Sequence, residues 1–118
     1  MGTHVFADGP VESDGLRLEV AVDDDGRAVV VANGEADCSN APRFAAVLDR
    51  VMTAGATEVV VDADGLLHPD LATVHVLLYA AHRGAHSGVV VRVINSHGTF
   101  HRVLNRFDAS LVGEPGRA

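Results

Sequence analysis

The strongest constraint on this chain is an alternation between short apolar runs and longer segments with helical spacing. Residues 28–32 and 59–61 are uninterrupted apolar runs, and residues 89–94 form a third run that contains one arginine. Such runs are typical of strands buried on both faces of a sheet. Three buried strands that alternate with helices predict an α/β domain with helices on both faces and mostly parallel strands.

A fourth strand is predicted before these runs, because apolar and polar residues alternate from Leu16 to Val22. A period of two indicates a strand with one face in solvent. We interpret it as an antiparallel edge strand that turns at residues 23–26 into the first buried run.

Three segments carry apolar residues at the i, i+3, i+4 spacing of a helix with one buried face. Asn40 stands at the cap position of the first segment, with Pro42 just inside it. The apolar positions of the three segments are Phe44, Val47, Leu48, Val51 and Met52; Val74, Leu77, Leu78, Ala81 and Ala85; and Phe100, Val103, Leu104 and Phe107. The prediction is a single domain over residues 16–112 with three to four helices, an amino-terminal arm at 1–15 and a tail at 113–118.

Composition narrows the possible partners. The chain of 118 residues has a formal net charge of -7 and nine scattered basic residues, which argues against binding nucleic acid or inserting into an anionic membrane. Its one cysteine, Cys38, cannot form an internal disulfide, and the amino terminus lacks the pattern of a signal peptide. A cytoplasmic location is expected.

Four aspartates follow predicted strands at the end of the sheet where α/β proteins place their sites: Asp37, Asp62, Asp64 and Asp70. The sequence has neither a serine in a G-x-S-x-G elbow nor a glycine-rich phosphate loop. Asp62 is interpreted as a turn residue that caps backbone amides. No catalytic residue and no cofactor are expected.

Two histidine pairs have the i, i+4 spacing that can place two imidazoles on one ion: His82 with His86, and His97 with His101. A strand runs between the pairs, so they should lie at opposite ends of the sheet, and no cysteine or glutamate completes either pair. No metal is therefore expected. His75 and Tyr79 extend the first pair into a stripe along one helix, which is either an interaction face or a solvated rim.

Several of these segments together resemble a known family. Residues 29–33 are followed by G-E-A-D at 34–37 and A-P at 41–42, and residues 59–66 read V-V-V-D-A-D-G-L. In this order and spacing they resemble the STAS domain, the fold of bacterial anti-sigma factor antagonists, over residues 16–112. The resemblance implies a non-enzymatic module that binds an anti-sigma factor or a serine kinase-like regulatory protein.

The sequence departs from that family at its regulatory position. Where the family continues with D-S-x-G-L, residues 70–74 read D-L-A-T-V, so Leu71 replaces the serine whose phosphorylation controls binding in the antagonists. Phosphorylation is therefore not expected at Leu71. The surface carried over from the family comprises Asp37, Cys38, Ser39, Asp70, Leu71, Ala72, Thr73 and Val74.

Two further questions remain open from the sequence. Leu71 either presents an apolar surface to a partner or turns inward to join Val74 and Leu78 in the core. The chain could also be an accessory or ligand-sensing STAS subunit, for example of a lipid-transport ATPase, which would never have needed the serine.

Overall fold

The computed structural model describes residues 4–5 and 11–112, and it contains the four predicted main strands and three helices. The predicted tail at 113–118, and residues 1–3 and 6–10 of the predicted arm, lie outside the described residues. The strands are β1 (His4–Val5), β2 (Val11–Ser13), β3 (Leu16–Val22), β4 (Arg27–Glu35), β5 (Glu58–Leu67) and β6 (Val90–Ile94). The helices are α1 (Ala41–Thr53), α2 (Leu71–Ser87) and α3 (Gly98–Phe107).

The sheet is mixed, with the strand order β1-β3-β4-β5-β6 and with β2 on another part of β3. The β4–β5 and β5–β6 pairs are parallel, whereas β3 is antiparallel to β4, β1 and β2. The prediction of a mostly parallel sheet is therefore wrong. Only the two helical crossovers, through α1 and α2, join neighbouring strands in parallel, and hairpins build the other side.

The predicted edge strand β3 is an inner strand, because part of the predicted arm pairs with it. His4 and Val5 pair with Val22 and Ala21, and β2 pairs with the beginning of β3. Strands of two and three residues are too short to show a period of two in the sequence. The prediction that β3 has one face in solvent is confirmed, since its residues alternate between buried and exposed from Leu16 to Val20.

The buried side chains of all three helices pack in one cluster with alternate residues of the strands, such as Val30, Val61 and Val93. Val60 points to the other face of the sheet; it is buried but lies outside that cluster. The expectation of helices on both faces is wrong for the described residues. On the second face, Arg27 and Arg92 both pair with Glu58, at 3.7 and 3.1 Å.

The β4–α1 connection depends on a close approach between two backbone segments. Gly34 has a φ of +107°, and a Cβ on it would lie 2.0 Å from the carbonyl oxygen of Gly15. Only glycine avoids both the strain and this overlap. The contact fixes the carboxyl end of β4 against the β2–β3 turn.

No helix within residues 4–5 and 11–112 has both the length and the apolar character needed to cross a bilayer.

Candidate interaction site at the carboxyl edge of the sheet

The parallel strands β4, β5 and β6 end at one edge of the sheet, and the chain leaves this edge through the starts of α1, α2 and α3. Glu35 at the end of β4 is in register with Leu67 at the end of β5. Residues that are distant in sequence therefore meet here, and the edge contains every partner-binding position predicted from the sequence.

The loop before α1 is held by its own polar side chains. The carboxylate of Asp37 accepts hydrogen bonds from the Ser39 backbone N–H at 2.9 Å and from the Ser39 hydroxyl at 2.6 Å. These donors hold the pKa of Asp37 below its ordinary value. Cys38 and Ser39 are exposed beside this carboxylate. The loop presents a fixed negative charge.

Asn40 occupies the predicted cap position of α1, but its side chain makes no capping bond to that helix. Instead, its amide nitrogen donates to the carbonyls of Glu35 at 2.8 Å and Asp14 at 3.2 Å, and its amide oxygen accepts from the Asp37 N–H at 2.9 Å. The side chain is almost completely buried. Asn40 thus fixes the loop to β4 and to the β2–β3 turn.

A buried hydrogen bond joins this loop to the start of α2. The hydroxyl of Thr73 donates to the carbonyl oxygen of Ala36 at 3.0 Å, and Thr73 is only 1% exposed. Asp70 caps α2 by accepting from the Thr73 N–H at 3.2 Å. The structure therefore brings the two predicted segments together, but Thr73 is the residue that joins them and is not itself on the surface.

Leu71 is on the surface, with 59% of its area exposed. This answers the question that the sequence left open, because a core residue at this position would be buried as Val74 is. Asp70 is also exposed and Ala72 is half-buried. An apolar side chain, flanked by a carboxylate, thus stands in solvent at the first position of α2.

Leu71 also forms one wall of a groove of about 220 Å3 between the starts of α2 and α3. Its lining consists of Pro69, Asp70, Leu71 and Val74 from the α2 side and Thr99, Phe100 and Val103 from α3. The three α3 residues were missed as site residues from the sequence. The predicted topology could have identified them. Because β5 and β6 are neighbouring parallel strands, the helices that follow them must begin side by side.

Other polar residues at this edge stabilise a turn or join a helix to the loop before it. Asp62 accepts from the Asp64 N–H and from the Asn95 side chain, both at 3.1 Å, as expected for a turn residue. Ser96 and His101 resemble a nucleophile and base, with 2.8 Å between Oγ and Nδ1, but Ser96 is only 4% exposed. The contact joins α3 to the loop that precedes it.

The described residues contain no group of three or more histidine, cysteine or acidic side chains that could hold a metal ion. His75, Tyr79, His82 and His86 are all exposed along α2, in the stripe predicted from the sequence. The stripe runs along the helix toward its carboxyl terminus, away from the groove.

Comparison with known proteins places this geometry in a family. The STAS domain model matches residues 19–112. An anti-sigma factor antagonist from Mycobacterium paratuberculosis has a similar structure, with a TM-score of 0.69, 18% identity and 90% of each chain covered. The unphosphorylated anti-sigma factor antagonist SpoIIAA gives a TM-score of 0.68 at 15% identity, with 82% of this chain and 86% of that one covered.

The same fold occurs inside a much larger protein. The murine anion transporter Slc26a9 gives a TM-score of 0.62 at 15% identity, and the match covers 94% of this chain and 20% of the transporter. No curated protein sequence matches the chain. Structural likeness at such identities establishes the fold alone. The family model, in contrast, matches most of the sequence, and the chain therefore belongs to the STAS domain family.

Proposed function

We propose that the chain is a non-enzymatic, cytoplasmic interaction module, similar to an anti-sigma factor antagonist, that binds an anti-sigma factor or a serine kinase-like regulatory protein. The observation that carries the proposal is the exposed Leu71 at the start of α2, beside the groove. A large exposed apolar side chain next to carboxylates can form the dry centre of a protein contact that has a polar rim.

The proposed contact surface contains Leu71 at its centre, Asp70 and Ala72 beside it, and Asp37, Cys38 and Ser39 across the Thr73–Ala36 bond. Val74, Phe100 and Val103 line the groove, and its volume suits one large side chain of a partner. It is below the range of about 300 to 1,000 Å3 that small-molecule sites occupy. The volume therefore favours a protein partner over a resident small molecule.

This module has no phosphorylation switch at the start of α2. Leu71 has no hydroxyl, and the nearest one, on Thr73, is buried and donates to Ala36. Binding would then be controlled by the amount or the state of the partner. Mass spectrometry of the protein isolated from its native cells tests this, since phosphate on Thr73 would contradict it.

Recovery of partners from the native cell tests the proposed function itself. The purified domain, immobilised with and without ATP or ADP, should enrich an anti-sigma factor or a serine kinase-like protein. Failure to enrich such a protein under any nucleotide condition would contradict the proposal.

The alternative is an accessory or ligand-sensing STAS subunit, for example of a lipid-transport ATPase. The likeness to a domain of the Slc26a9 transporter supports it, because the fold also works inside transport proteins. Neighbouring genes distinguish the two: sigma-factor or anti-sigma genes favour the first function, and transporter genes favour the second.

A further inference from the structure

The structure separates the two histidine pairs that look alike in the sequence. In the second pair, His97 lies 3.4 Å from the carboxylate of Asp64, and His101 uses its Nδ1 in the bond to Ser96. Each of these two rings therefore interacts with a different residue, Asp64 or Ser96. In the first pair, His82 and His86 are exposed and their ring centroids are 4.6 Å apart.

The hydrogen bonding of His86 fixes which ring nitrogen carries the proton. Its Nδ1 lies 3.0 Å from the backbone carbonyl oxygen of His82. A carbonyl oxygen can only accept, so Nδ1 must donate, and in the neutral ring the lone pair is then on Nε2. Metal-binding histidines commonly make this same bond, which orients the ring and increases its basicity.

The surroundings of the pair also suit a cation. His82 and His86 lie in the last turns of α2, where the unpaired carbonyls favour positive charge. Arg83, which lines the same pocket, pairs with Asp49 of α1 at 3.2 Å, and this pairing offsets its charge. The pair faces an open pocket of about 330 Å3, which has room for an ion with water ligands.

We propose that His82 and His86 bind one divalent metal ion that prefers imidazole, such as Zn2+, through Nε2 of His86 and one ring nitrogen of His82. Water fills the other coordination positions. Two histidines at i, i+4 on one helix face are the arrangement that helical zinc sites use. For this pair, the proposal reverses the sequence-based expectation that no metal binds.

The metal site is independent of the proposed partner surface. His86 follows Leu71 by 15 positions along α2, which corresponds to about 22 Å at 1.5 Å per residue. Failure of one proposal therefore leaves the other standing.

Titration of the 15N-labelled protein with zinc chloride, followed through the histidine ring nitrogens, tests the site. The expected result is one equivalent of Zn2+ that shifts Nε2 of His86 together with a ring nitrogen of His82, while the rings of His97 and His101 do not change. No shift at His82 and His86, or a shift of His97 and His101 instead, would overturn the proposal.

Single substitutions give an independent measurement by calorimetry. His82→Gln and His86→Gln should each weaken Zn2+ binding by about tenfold or more, because each removes one of two ligands. His97→Gln is the matched control and should leave the affinity unchanged. All three positions are exposed, so the backbone spectrum should stay that of the folded protein. Unchanged affinity in either pair variant would refute the assignment.

Discussion

Thr73 joins two segments of the site, because its hydroxyl donates to a residue 37 positions away in the sequence. Thr73→Val keeps the shape of the side chain but leaves the buried carbonyl of Ala36 without its donor. We expect a loss of about 1 to 3 kcal/mol in the free energy of unfolding, measured with urea.

Thr99→Val is the control for this substitution. Thr99 is exposed on the other side of the groove, and its change should cost no more than about 0.5 kcal/mol. Equal effects at the two positions would show that the Thr73–Ala36 bond does not hold the site together.

Asp37 should titrate below its ordinary pKa of 3.8, because Ser39 donates two hydrogen bonds to the ionised form. A folded-state pKa below the unfolded value means that Asp37 contributes stability above about pH 4 and that this contribution is lost as the pH falls through the folded pKa. Ser39→Ala should move the Asp37 pKa upward. Titration of the carboxyl carbon by NMR measures both values, and an unchanged pKa in the variant would contradict the explanation.

Leu71 should tolerate polar replacement without loss of stability, because it is 59% exposed. Leu71→Ser and Leu71→Glu should each change the free energy of unfolding by no more than about 0.5 kcal/mol. A loss of about 1 to 3 kcal/mol in both variants would indicate a core position instead. Thermal and urea unfolding of the two variants decide between these results.

At the scale of the elements, the sequence predicts β3 and all three helices from their periodicities, and it predicts β4 to β6 from their apolar runs. It does not predict the second face of the sheet. An apolar run shows that a strand is buried but not which face a helix covers: Val60 is buried, yet it lies outside the cluster in which the described helices pack. The short strands β1 and β2 form because β3 offers them an edge, which is a tertiary effect.

The packing of α2 on β6 depends on Gly84, which is buried in the helix. A Cβ there would lie 2.6 Å from the Val89 carbonyl oxygen and 3.0 Å from Cγ2 of Val91. Gly84→Ala should therefore destabilise the protein, although alanine favours an isolated helix by about 1 kcal/mol.

Ala85→Gly is the matched control in the same turn. Ala85 is exposed, so its replacement should cost only the difference in helix propensity, about 1 kcal/mol. A higher melting temperature for Gly84→Ala would mean that the α2–β6 contact is looser than the structure shows.

For the whole molecule, the sequence could predict where the candidate site lies, but it could not predict which of its side chains face solvent. The ends of neighbouring parallel strands meet at one edge, which is why the segments around Asp37 and Asp70 could be placed together from the sequence. Whether Leu71 or Thr73 faces solvent depends on how α2 packs against the β4–α1 loop. That packing also creates the groove with α3, and no local pattern encodes it.

On the proposed function, the exposed side chain of Leu71 at the start of α2 binds a regulatory protein partner. The most direct test is quantitative recovery of partners from native-cell extract by three immobilised proteins: the wild type, Leu71→Glu and Tyr79→Glu. Tyr79 is a matched control because it lies on the same helix and is 54% exposed. We expect the wild type and Tyr79→Glu to enrich the same anti-sigma factor or serine kinase-like protein and Leu71→Glu to lose it. Enrichment of that protein by Leu71→Glu at the wild-type level, or its absence from the wild-type sample, would contradict a role of Leu71 in partner binding.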